Sequence, residues 1–176
     1  MDSPIRIGVV TVSNRAYMGE FEDCSSAEII AALNDYLLSP WHPIVRVVSE
    51  DAPTIEETLK EMCDVEGCCL VLTSGGTGPT KRDVTPDATI AVCDRILDGF
   101  GERMRAGSLP TFPTAILSRQ LAGVRGWTLI INLPGRPGYI RGCLDSVFPA
   151  VPHCIELLEG PRMETNEKVM SAYRPK

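Results

Sequence analysis

The chain has 176 residues and a formal net charge of −6. With 44% hydrophobic and 23% charged residues, it has the make-up of one globular domain, 1–176, with a substantial core. The acidic balance argues against nucleic acid or an anionic membrane as partner, and no apolar run reaches the roughly 20 residues of a membrane span.

Ile5 to Ser13 (IRIGVVTVS) is β-branched and apolar on both faces, as a central strand is. Ser25 to Glu28 has the spacing of a capping box, and Ala27, Ile30, Leu33 and Leu37 follow at helical spacing. Ile44 to Val48 reads as a short strand. Thr54 to Glu57 reads as a second capping box, with Ile55, Leu59 and Met62 on one helical face. Cys68 to Thr73 (CCLVLT) is a third strand and opens into a glycine-rich loop. Thr85 as N-cap, Pro86 in the first turn and Asp87 beside it predict a helix from Pro86 to about Ile96. A looser helical region with Pro110 and Pro113 follows, then TAILSRQLAG. Trp127 to Leu133 is a fourth strand, Tyr139–Val147 and Val151–Leu158 are helices, and a polar tail ends at Lys176. Apolar strands alternating with helices predict an α/β fold: a three-layer, doubly wound domain with a mostly parallel sheet. Ligands then belong at the carboxyl ends of the strands, where the loops after Ser13, Thr73 and Leu133 emerge.

Side-chain chemistry is narrowed by what is scarce. The seven cysteines are odd in number, form no CxxC, and put Cys68 and Cys69 side by side in a strand, so they read as reduced, buried thiols of a cytoplasmic protein. The two histidines, His42 and His153, each adjoin a proline and lack a partner motif. That excludes a histidine-rich metal site and argues against a histidine-dependent triad. Carboxylates, hydroxyls, backbone amides and Arg/Lys remain.

Those groups concentrate in LTSGGTGPTKRDVTPDAT, Leu72 to Thr89. Gly75, Gly76, Thr77 and Gly78 follow a strand, and successive glycines let backbone N–H groups approach an anion. The loop is neither a Walker A motif nor GxGxxG. With Thr73, Ser74, Lys81, Arg82 and Asp83 beside it, an anion site is favoured over a bare turn. Asp83 is either a turn carboxylate paired with a neighbouring base or a carboxylate that holds Mg²⁺ near phosphates. Glu50 and Asp51, in SEDAP, sit at the same strand edge as a solvated loop or a second metal or substrate site. Ser13, Asn14 and Arg15 leave the first strand there. Ser118 and Arg119 offer a hydroxyl and a cation to a phosphate, and NLPGRPG, with Pro134 and Gly135, is a candidate second wall.

Together RIGVVTVSNRA, LTSGGTGPTKRDVTPDAT and PTAILSRQLAGVRGWTLIINLPGRPG resemble the molybdenum-cofactor biosynthesis family, over Ile5 to about Leu158. The ending LLEGPRMETNEKVMSAYRPK leans towards its bacterial Mog-type branch. The resemblance implies a three-layer α/β domain that assembles as a homotrimer. It implies transfer of AMP from ATP to molybdopterin with Mg²⁺, giving adenylyl-molybdopterin and pyrophosphate, with a molybdate-inserting enzyme as the consumer of the product. The catalytic aspartate of the RDVTP motif falls on Asp83, the glycine loop on Gly75 to Gly78, the serine–arginine pair on Ser118 and Arg119, and the Pro-Gly loop on Pro134 and Gly135. The chain departs from the family pattern twice. Asn14 stands where Asp is frequent, and Ser49-Glu50-Asp51 stands for Pro-Asp-Glu, so a gap-free reading puts Glu50 on the functional aspartate while Asp51 can also reach a metal. A non-catalytic trimeric binding module and a nucleotide pyrophosphatase are the competing readings.

Overall fold

A computed structural model describes residues 4–176. In chain order the elements are β1 (Ile5–Val12), α1 (Asn14–Tyr17), α2 (Cys24–Tyr36), β2 (Trp41–Val48), α3 (Ala52–Lys60), β3 (Leu70–Ser74), α4 (Thr85–Val92), β4 (Arg95–Ile96), α5 (Asp98–Ser108), β5 (Ala122–Arg125), β6 (Thr128–Leu133), α6 (Pro137–Val147) and α7 (Val151–Leu157). They form one six-stranded sheet in the order β2-β1-β3-β6-β5-β4. β2, β1, β3 and β6 run parallel, β5 is antiparallel to β6, and β4 is antiparallel to β5.

The central strands β1, β3 and β6 are mostly apolar and almost wholly buried because both faces are covered. Side chains alternate across a strand. Ile7, Val9, Leu70, Leu72, Leu129 and Ile131 therefore pack towards α2, α6 and α7, joined by Phe148 and Met104 of α5. Val10, Val12, Val71 and Ile130 point the other way, towards Ile55 and Leu59 of α3 and Ala88 and Val92 of α4. The expected three-layer, mostly parallel architecture is the observed one.

Several boundaries differ from the sequence reading, each for a local reason. α2 is capped by Asp23, whose carboxylate accepts from the Ser26 amide at 3.1 Å; Ser25 and Ser26 turn inward, Ile29 is fully buried, and Ile30 packs half-buried against the core. α3 is capped by Asp51 rather than Thr54. The helix expected from Pro86 to Ile96 stops at Val92, because Arg95 and Ile96 pair with Val124 and Gly123 as an edge ribbon. Ser118 and Arg119 lie on an extended segment after a short 3₁₀ turn, Pro113–Leu117, not on a helix. Trp127 belongs to the β5–β6 turn and is exposed. The polar tail is docked: Met163 and Met170 are buried, and Arg174 pairs with Glu156 at 2.7 Å.

Register puts the ends of the central strands level. Thr11 pairs with Ser74, and Ser74 with Leu133. From β1 the chain moves outward to β2 and then back across to β3, so the β1–β3 boundary is the switch point at which such sheets open a crevice.

Candidate active site

The glycine loop is shaped by what presses on it. Gly75 and Gly76 have φ of +94° and +66°, the left-handed region that a Cβ penalises. A Cβ on Gly75 would also run into the Val12 carbonyl, and one on Gly76 into the Thr85 hydroxyl. The Gly75 amide donates to Leu133 O at 3.2 Å, and the Gly76 carbonyl accepts from the Thr85 amide at 3.1 Å. The loop is thus tied to the ends of β1 and β6 and to the start of α4.

Beneath it lies a buried polar layer. Asn132 Nδ2 donates to Thr73 Oγ1 and Thr89 Oγ1, both at 3.0 Å, and Thr89 Oγ1 donates to Thr85 O at 2.8 Å. Thr73, expected among ligand contacts, is fully buried and supports the loop from below. Among the described residues, the buried side-chain polar atoms without a partner are Ser74 Oγ, Thr85 Oγ1 and Asn132 Oδ1. All three belong to this layer.

The acidic residues separate by their partners. Asp83 Oδ2 accepts from the Thr80 hydroxyl at 2.5 Å and the Thr80 amide at 3.1 Å. Partial burial acts to raise its pKa, but the Thr80 and Gly78 hydrogen bonds and the Arg119 charge outweigh it and hold the carboxyl below its ordinary value. Glu50 is gripped by Asn14, which accepts from its amide at 2.8 Å and donates to its Oε2 at 3.4 Å. Arg82 meets the same oxygen at 3.1 Å. Arg82 is 74% exposed and Glu50 22%, so the carboxylate is the held partner of the pair and the cation the solvent-facing one. Asp51 Oδ2 accepts from the Thr54 hydroxyl at 2.6 Å and amide at 3.0 Å, bonds that depress its pKa as they cap α3. Local structure therefore assigns Asp51 a helix to cap and directs Glu50 across to the loops after β1 and β3.

Two cavities flank the loop. One, of about 190 Å³, is lined by Thr77, Gly78, Ser118 and Pro134 together with Phe112 and Tyr139, whose rings stack at 3.8 Å between centroids. The other, of about 330 Å³, is lined by Ser13, Arg15, Ser25, Ser74, Gly75 and Gly135. Ser13 also caps α1, accepting from Ala16 N at 3.2 Å. The glycine loop and the Pro134–Gly135 step form the wall between the cavities. Ser118 Oγ donates to Gln120 Oε1 at 2.8 Å. Arg119 faces the loop, with contacts to Gly78, Asp83 and Asp87.

Sequence reasoning missed Asn14 as the holder of Glu50, Thr80 as the holder of Asp83, Asn132 as the hub beneath, and the Phe112–Tyr139 stack. Only Thr80 carried a local signal, a hydroxyl three residues before a carboxylate in a turn-rich stretch.

Residues 8–153 match a protein family described as "Probable molybdopterin binding domain". A molybdopterin adenylyltransferase of Helicobacter pylori is 52% identical over 172 residues, covering 98% of each chain. One of Escherichia coli K12 is 46% identical, covering 98% of this chain and 94% of the relative. In structure, the molybdopterin biosynthesis enzyme MoaB of Thermus thermophilus superposes with a TM-score of 0.83 at 39% identity, over 91% of this chain and 99% of that one. A glycine loop between two cavities, acids at the same edge and these matches agree, and the chain belongs to the molybdopterin-binding family of molybdenum-cofactor biosynthesis.

Proposed function

We propose that this protein is a molybdopterin adenylyltransferase, transferring AMP from ATP to molybdopterin and releasing pyrophosphate. The observation that carries this reading is the pair of cavities meeting at one glycine loop, with Asp83 and Glu50 on the same edge. Two anionic substrates need adjoining pockets, and the wall between them is where their phosphates would react. The names of the relatives support the choice of substrates.

In the reaction an oxygen of the terminal phosphate of molybdopterin attacks the α-phosphorus of ATP. A new P–O bond forms, the bond to the β-phosphate oxygen breaks, and its electron pair leaves with pyrophosphate. The nucleophile is already anionic, so no strong general base is required, and none of the histidine type is present at the edge. Catalysis here is positioning and charge stabilisation. Backbone amides of Gly76 and Thr77 bind phosphate oxygens, since those of Gly75 and Gly78 are engaged by Leu133 and Asp83, while Lys81 and Arg82 offset the carboxylates so that an anion is not repelled.

The donor set fits a Mg²⁺ ion shared with substrate. Among the described residues no cluster of three or more His, Cys, Asp or Glu side chains is arranged to cage a metal. A hard cation that takes one or two carboxylates and completes its shell with phosphates and water needs no such cage. Asp83 and Glu50 would hold it, and when bound it would neutralise charge on the departing pyrophosphate.

We further propose a cytoplasmic homotrimer acting as one domain over 1–176, whose product passes to a molybdate-inserting enzyme. Light scattering at micromolar concentration checks the trimer. The activity is tested with purified protein, molybdopterin, ATP and Mg²⁺: adenylyl-molybdopterin and pyrophosphate form together, and EDTA abolishes both. ATP hydrolysis without transfer, or no turnover, would overturn the assignment.

A further inference from the structure

The turn from Gly78 to Asp83 must hold Asp83 still, yet Pro79, Thr80, Lys81 and Arg82 are exposed. Apolar packing therefore does not set its shape. Hydrogen bonds between Thr80 and Asp83 close the turn from within, and Arg119 fixes it from outside. Its backbone amide donates to Thr77 O at 2.8 Å, anchoring the start of the turn. Its Nε donates to Gly78 O at 3.1 Å, and its Nη2 donates to Asp83 O, so one guanidinium closes both ends of the turn. Nη1 and Nη2 then grip Asp87 at 3.2 and 2.9 Å, a bidentate pair on the first turn of α4. Of the five N–H donors of a guanidinium, one on Nη1 is left for a ligand.

We propose that Arg119 and Asp87 form a clamp that positions the Asp83 carboxylate, and that Arg119 serves the reaction through this clamp rather than by binding a substrate phosphate. The proposal rests on the reading of Asp83 as a residue of adenylyl transfer. A fork suits the task because the four bonds are spread over three nitrogens, whereas an ammonium offers three donors from a single point. Asp87 is required because it fixes the fork's orientation to the helix that follows the turn.

The two roles for Arg119 part under substitution. A clamp predicts that Arg119→Lys, which keeps the charge, loses kcat about as much as Asp87→Ala does. That loss is roughly ten- to a hundredfold, the scale of a misplaced catalytic group. KM for ATP and for molybdopterin should stay within about twofold, and in an Asp83→Asn background Asp87→Ala should cost less than about twofold, since groups acting as one unit are not additive. Native-state hydrogen exchange supplies a readout independent of turnover. The Thr80 amide, which donates to Asp83, exchanges faster in Arg119→Lys and Asp87→Ala at unchanged global stability. An Arg119→Lys enzyme with full kcat and a raised KM would overturn the clamp, as would losses at Asp87 and Asp83 that multiply independently, or a Thr80 amide protected as in the wild type. Wild-type protein that forms no adenylyl-molybdopterin would instead overturn the proposed activity, and the exchange measurement would still decide the clamp.

Discussion

The two ends of the sheet use polar groups in opposite ways. At the amino end, among the described residues, no buried side-chain polar atom lacks a partner. Thr128 Oγ1 donates to Cys68 O at 2.6 Å, Arg125 spans Asp64 at 2.6 Å and Val92 O at 2.9 Å, and Asp94 accepts from the Gly126 amide at 2.6 Å. The thiols there are quiet, since burial pushes Cys63 up to about 11 and Cys68 and Cys93 to about 12. At the carboxyl end Ser74, Thr85 and Asn132 each keep a buried polar atom without a partner. Such an atom costs about 1–3 kcal/mol unless a ligand or water meets it. The carboxyl end thus keeps buried hydrogen-bonding capacity open where the amino end has closed it, as a site shaped for a ligand does.

Substitutions can break or sharpen this contrast. The largest effect should come from Asp83→Asn, which keeps shape and removes charge. Molybdopterin binding persists while kcat falls about 10²–10³-fold, or roughly 3–4 kcal/mol of barrier. Single-turnover kinetics on the variant measure this, and normal turnover would reduce Asp83 to a turn residue. Next come the neighbouring acids. Glu50→Ala should cut turnover about 10²-fold at unchanged Tm, the lower end of what loss of one electrostatic contact costs. Asp51→Ala should lower Tm through loss of its cap and largely spare turnover.

Gly76→Ala should destabilise by about 1–2 kcal/mol from its left-handed backbone alone, with further loss from the clash with Thr85, read as a denaturation midpoint. Thr80→Ala is subtler. Because Asp83 is held below its ordinary pKa, its ionised form, and any stability it lends, is complete above the unfolded value and is lost only as pH falls through the folded one. Removing the Thr80 hydroxyl should shift the acid limb of the rate profile upward while the plateau persists. The smallest effect belongs to the amino end: Arg125→Ala breaks a partly exposed ion pair worth about 0.2–1 kcal/mol and leaves turnover unchanged. A turnover defect there would erase the contrast between the two ends.

Much of the fold was readable because its signals are local. The runs in β1, β3 and β6 are rich in consecutive apolar residues and buried at every position but Arg6, which only a sheet covered on both faces accommodates. The caps of α2 and α3 were misread because Ser25 and Thr54 have the spacing of a capping box, while Asp23 and Asp51, two and three residues earlier, take the amide bonds. β4 and β5 were missed because RI and AGVR are too short to carry a pattern and exist as strands through pairing.

For the site, the sequence by itself determined that a glycine-rich loop with acid and base side chains follows a buried strand, and hence sits on the ligand edge of an α/β sheet. Which side chains serve the ligand was a tertiary decision. Glu50 and Asp51 are neighbours with the same chemistry, and only the start of α3, which engages Asp51, and Asn14, 36 residues before Glu50, tell them apart. Thr73 looked like a ligand contact until Asn132, on the neighbouring strand, took its hydroxyl. Arg119 looked free until the fold brought Asp87 to it across 32 residues. Backbone propensity and side-chain period act over a few residues, so they are written in the sequence. A hydrogen-bond partner is chosen by whatever the folded chain carries within about 3 Å, and that distance exists only after the strands have paired.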